Sequence, residues 1–138
     1  MQNPSLIQAN LLICETVLTE ESARMHSLIR VVDTFAVSGA TLRFFVVCHL
    51  HSSPSDTAPH VLTIQMMGRR DSNWIPLAGA PPKVFKYGYN LNPSGPGGFV
   101  LSTEFNLDMN KTGFGLFYIQ ALLDGQLVAQ VPLTLRPQ

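Results

Sequence analysis

The chain closes with GFGLFYIQALLDGQLVAQVPLTLRPQ, Gly113 to Gln138, two apolar runs that meet at Asp124-Gly125. Such a pair between apolar runs signals a two-residue hairpin, because a type I′ turn needs positive φ at both central residues. The spacing therefore predicts two antiparallel strands, 114–123 and 126–136. The second is apolar at every second position, the mark of a strand with one face in a core and one in water. The first is apolar on both faces: Leu116, Tyr118 and Leu122 lie opposite Phe117, Ile119 and Ala121.

The same two patterns recur upstream. Residues 99–108 alternate, with Phe99, Leu101, Thr103, Phe105 and Leu107 on one face, and residues 60–67 alternate around Leu62, Ile64 and Met66. Residues 40–51 read as a strand with Leu42, Phe44, Val46, Cys48 and Leu50 on one side and Arg43, Phe45, Val47, His49 and His51 on the other. Residues 5–17 and 25–37 are rich in Leu, Ile and Val and read as a first and a second strand. Residues 18–24 between them read as a loop or one helical turn. Trp74 to Leu77 reads as a short edge strand limited by Pro76, and Lys83 to Tyr89 as a short run inside a Pro/Gly-rich irregular segment, 78–98. Asn110 to Gly113 reads as a turn. About eight short strands with turn signals between them predict one antiparallel β-sandwich or barrel domain over residues 1–138.

Composition narrows the function. Nine basic residues balance nine acidic ones in 138, which argues against a nucleic-acid binder led by phosphate contacts. Only 13% of residues are charged, against about 25% in an ordinary soluble domain. A surface so sparsely ionic can meet another protein at low desolvation cost, since interface cores are depleted in charge. Cys14 and Cys48 lie in apolar runs and read as buried free thiols. No Lys or Arg precedes Arg24, so the first residues lack the positive start of a secretory signal, and no run approaches the ~20 apolar residues of a membrane span. The expectation is a cytoplasmic protein without a membrane partner.

The double-sided strands raise the sharper point. A two-layer fold hides one face of each strand, yet 28–37, 42–50 and 114–123 are apolar on both. Either the chain roofs them itself, with 78–98 or 18–24, or a partner covers one sheet. The second alternative gives a homo-oligomer or a protein complex, with Arg43, Phe45, Val47, Leu116, Tyr118 and Leu122 as interface candidates.

Candidate chemistry is thin. His49 and His51, two apart on one strand, share a face and form the one metal-like spacing; His60 on the following strand is the geometric candidate for a third zinc ligand. Few acids lie nearby, and solvated histidines at a strand end are the plainer reading, so no metal is assigned. Ser94 to Phe99 (SGPGGF) lacks the GK[ST] of a phosphate loop and precedes a strand. No nucleophile stands beside a base and an orienting acid, so no catalytic residue and no cofactor is assigned. Trp74, Tyr87 and Tyr89, with Arg69, Arg70, Lys83 and Lys86 near them, form the candidate ligand surface, because aromatics beside cations stack on bases or sugars.

Three stretches carry a family resemblance: Cys14-Glu15 ending the first strand, Ser27 to Phe35 (SLIRVVDTF), and Gly115 to Tyr118 with Asp124-Gly125. They resemble a bacterial family of short proteins of unknown function. This chain has Arg30 where that family has a glycine in its second strand, and the aromatic after the closing glycine is displaced. The resemblance implies an immunoglobulin-like sandwich and brings no activity or site residues. Together these readings predict an all-β, immunoglobulin-like domain acting as a non-enzymatic, self-associating interaction or assembly module. The alternative is a sandwich that binds a small molecule or carbohydrate through the aromatics of 74–89, and a metal-dependent enzyme using the three histidines stands behind both.

Overall fold

The computed structural model describes residues 8–20, 25–52, 59–87 and 97–138. Ten strands and one helical turn follow in order: β1 Gln8–Glu20, β2 Met25–Val31, β3 Thr34–Val37, β4 Thr41–Ser52, β5 His60–Arg70, β6 Asn73–Pro76, β7 Lys83–Tyr87, β8 Gly97–Asp108, α1 Met109–Thr112, β9 Gly115–Leu123 and β10 Gln126–Pro137. Sheet A has the order β2-β1-β4-β8; sheet B has β3-β10-β9-β5-β6, with β7 also on β5. Pairing is antiparallel except between β3 and β10, which run parallel. With β4 beside β8 in one sheet and β5, β9 and β10 adjacent in the other, the chain reproduces the B–E and C–F–G arrangement of an immunoglobulin-like sandwich.

Alternation places the core. Phe44, Val46, Cys48 and Leu50 of β4 meet Leu62, Ile64 and Met66 of β5, Phe117, Ile119, Ala121 and Leu123 of β9, and Leu133 and Leu135 of β10, all buried in one cluster. Phe44 stacks on Phe105 at 5.4 Å between ring centroids and tilts against Phe35 at 5.6 Å, which ties β4 and β8 to β3 of the opposite sheet. The Lys83 amine lies over Phe105 at 5.6 Å, a second link between the sheets. Segment 77–80 packs inward: Ala80 belongs to the core, and Leu77 fills the space over Gly68, where an added Cβ would stand 2.5 Å from Leu77 Cδ2.

Four elements differ from the sequence reading. Residues 25–37 are two strands in different sheets. β2 pairs with β1, then the chain crosses at Val32-Asp33, where Val32 N–H donates to Ile13 O (2.8 Å) and Thr134 N–H to Asp33 O (2.8 Å). Arg30 has φ 56°, a left-handed conformation that favours glycine. Residues 18–20 extend β1; residues 21–24 lie outside the described residues. Asn110 to Thr112 belong to α1, capped by the Asp108 carboxylate accepting from Asn110 N–H at 3.0 Å. Finally, β10 slips register between Leu127 and Ala129. This bulge turns Leu127 opposite Leu122, away from the core, where strict alternation would bury it. Among the described residues no helix is long and apolar enough to cross a membrane.

Candidate interaction surfaces

The predicted interface residues divide between two opposite faces. Arg43, Phe45 and Val47 lie outward on sheet A; Leu116, Tyr118 and Leu122 lie outward on sheet B. They cannot form one contiguous patch, because the whole sandwich separates them.

Sheet A covers its outward apolar groups around Val47 and Cys14, while Leu12 (42%), Val31 (53%) and Leu18 (56%) stay exposed on β1 and β2. Arg43 lies 5.3 Å over the Phe45 ring and is held there by Glu104 at 2.6 Å. Val47, between Leu12 and Ser102, is only 4% exposed, and Cys14, between Phe45 and Val31, is fully buried. Part of the apolar excess in the sequence is thus covered by long side chains of the same face. Of the two segments that could roof a sheet, 78–98 and 18–24, Ala80 packs into the core, and residues 21–24 and 88–96 lie outside the described residues.

The outward face of sheet B also carries exposed apolar groups, set around a polar centre. At its centre Gln65, Gln120 and Gln130 are in register across β5, β9 and β10. Gln65 Nε2 donates to Gln120 Oε1 (3.0 Å), and Gln120 Nε2 to Gln130 Oε1 (2.7 Å). Around this neutral ladder stand exposed apolar groups: Val84 56%, Leu127 53%, Leu116 44% and Trp74 38%. Trp74 packs edge-on against Tyr118 at 4.9 Å, so a residue of the predicted ligand surface joins one of the predicted interface. Tyr118 and Leu122 are half-buried. The strand-borne charges on this face are Arg69, Lys86 and Arg136, all toward strand ends, with no strand-borne carboxylate.

The ligand surface expected from Trp74, Tyr87 and Tyr89 does not assemble. β6 pairs with the Met67–Arg70 end of β5 and β7 with its His60–Ile64 end. Trp74 opposite Arg69 and Tyr87 opposite His60 are therefore about 30 Å apart along the strand. Tyr89 lies outside the described residues.

The three histidines also separate. His49 and His51 face outward on sheet A with ring centroids 4.2 Å apart. Burial, and then the neighbouring His51 charge, lower the pKa of His49. His60 is in sheet B, where Nδ1 meets Asp124 Oδ2 at 2.6 Å. The other Asp124 oxygen accepts from Val61 N–H at 2.8 Å, and Asp124 N–H donates to Val61 O at 2.8 Å. Burial alone would raise the Asp124 pKa; the hydrogen bonds from His60 and Val61 and the His60 charge outweigh it and lower it. This clamp ties the start of β5 to the β9–β10 turn, and sequence spacing could not show it. Among the described residues no three His, Cys, Asp or Glu side chains converge.

An open cleft of about 380 Å³ lies where the chain changes sheets, lined by Leu11, Ile13, Val31, Val131 and Pro132 among others, with Asp33 its one charged lining residue. Polar groups do not converge there.

No family model and no curated protein sequence matches the chain. The resemblance at its two ends therefore shows no family membership, while the sandwich it implied is the observed fold. Among solved structures the chain is similar to the alkylpurine DNA glycosylase AlkC of Pseudomonas fluorescens, bound to DNA containing an abasic site analog, with a TM-score of 0.56 at 12% identity. The match covers 96% of this chain and 30% of the glycosylase chain, so this domain spans less than a third of that protein. An immunoglobulin-like protein of Pseudomonas aeruginosa aligns over 98% of this chain and 100% of its own, at 16% identity and a TM-score of 0.41. At these identities the likeness is one of fold.

Proposed function

We propose that this domain is a non-enzymatic protein-interaction module that meets its partner through the outward face of sheet B, and that this partner is a second copy of the chain. The observation that carries the reading is the makeup of that face: a hydrogen-bonded glutamine ladder at its centre, exposed Val84, Leu116, Leu127 and Trp74 around it, and its strand-borne charges toward strand ends. Exposed apolar patches beyond a few hundred Å² are uncommon on monomers, and a standard interface removes roughly 800 Å² from each partner. Light scattering after size exclusion tests it. A dimer or larger closed assembly is expected, returned to monomer by Leu116→Arg with Leu127→Arg. A monodisperse 15.2 kDa species at high micromolar concentration sinks the reading.

The Trp74–Tyr118 pair beside three side-chain amides favours one second reading, a carbohydrate surface. Sugars stack on aromatic rings and take hydrogen bonds from planar amides. A glycan array scored against Trp74→Ala decides it: binding that survives the substitution, or no binding at all, removes it.

A further inference from the structure

His49 and His51 belong to neither surface of the proposed function. They stand two residues apart on β4, so their side chains leave the same face of sheet A, and the structure brings the rings to 4.2 Å between centroids. Two imidazoles holding one ion at about 2.1 Å, at adjacent corners of its shell, have centroids roughly 4.5–5 Å apart. The observed separation is close to that range, with the ring planes inclined at 66°. Their partners in register are neutral: Asn10 and Gln8 on β1, Val100 and Gly98 on β8. Neither a carboxylate nor an ammonium group stands beside them in register.

We propose that His49 and His51 form a two-nitrogen chelate for a late first-row divalent cation, open to solvent on its remaining positions. The donor type sets the selectivity. Imidazole nitrogens without carboxylates suit Cu²⁺, Ni²⁺ and Zn²⁺ and do not suit Mg²⁺ or Ca²⁺, with Cu²⁺ bound most tightly. Two protein ligands leave the shell half filled, so the ion exchanges readily and does not act as a structural staple.

Calorimetric titration of the full, tag-free chain with Cu²⁺, Zn²⁺ or Mg²⁺ alone tests the site. One Cu²⁺ per chain is expected, with weaker Zn²⁺ and no Mg²⁺ binding. His49→Ala and His51→Ala each weaken Cu²⁺ by about tenfold or more, the scale of losing a ligand-side contact, and His60→Gln leaves it unchanged. In NMR spectra, trace Cu²⁺ broadens the His49 and His51 ring signals first. The proposal is overturned if the His49→Ala/His51→Ala double variant binds Cu²⁺ as tightly as the natural chain, or if broadening starts at another histidine.

Discussion

Cys48 and Cys14 sit on neighbouring strands and face opposite ways, Cys48 into the core and Cys14 to the outward side of sheet A, both fully buried. Burial pushes the Cys48 thiol up to about 11 and raises that of Cys14. A thiol-specific reagent at pH 8 should leave the native protein unlabelled and label both residues once denaturant is added; rapid native labelling would show that either site opens. Their burial was legible in the sequence, because each lies within an apolar run. Asp124 was legible only as a turn residue. Its grip on His60 and Val61, 63 and more positions away, is a product of folding. The pH consequence has a definite sign. The folded-state pKa of Asp124 is depressed, so its contribution to stability is present above the unfolded carboxylate value near about 4 and is lost as pH falls through the native value. Asp124→Asn keeps an acceptor for Val61 N–H and removes the titration. Thermal melts of the variant should lose stability less steeply than the natural chain below about pH 4. His49 works in the same direction higher up: its lowered pKa gives a contribution present above about 6.5 and lost as pH falls below it.

Turn chemistry explains which strand boundaries could be read. Asp124 and Gly125 have φ of 50° and 84°, the pair a type I′ hairpin prefers, and the sequence shows it plainly. The β5–β6 turn puts Asp71 at 50° and Ser72 at 74°, the same geometry without the glycine. The alternation read over 60–67 therefore stops short of the strand's end, since β5 continues through Arg70. Replacing Ser72 with Gly should raise unfolding free energy by up to about 1 kcal/mol, and Gly125→Ala should lower it by about 1–2 kcal/mol, both measurable by urea titration. The break between β2 and β3 was hidden for the same reason. Arg30 occupies a left-handed conformation that glycine would have announced.

At the scale of the whole molecule, sheet B's outward face carries Arg69, Lys86 and Arg136 and no strand-borne acid. Two such faces repel across a dimer, so self-association should tighten as salt screens them. Sedimentation equilibrium at low and high ionic strength should show this; association that weakens with salt would instead mark a partner with an acidic rim. By itself the sequence determined the class of fold, the inward set of β4, β5 and β9, and the closing hairpin. These are local, since strand period and turn dipeptides act within a few residues of one another. Tertiary structure alone decided which sheet each strand joined. It set the two halves of the expected interface back to back, drew Trp74 onto Tyr118, sent Tyr87 to the far end of β5 and parted His60 from His49 and His51. Period fixes which residues share a face, but only long-range pairing, with the crossing at Val32-Asp33 and the bulge after Leu127, fixes which faces meet.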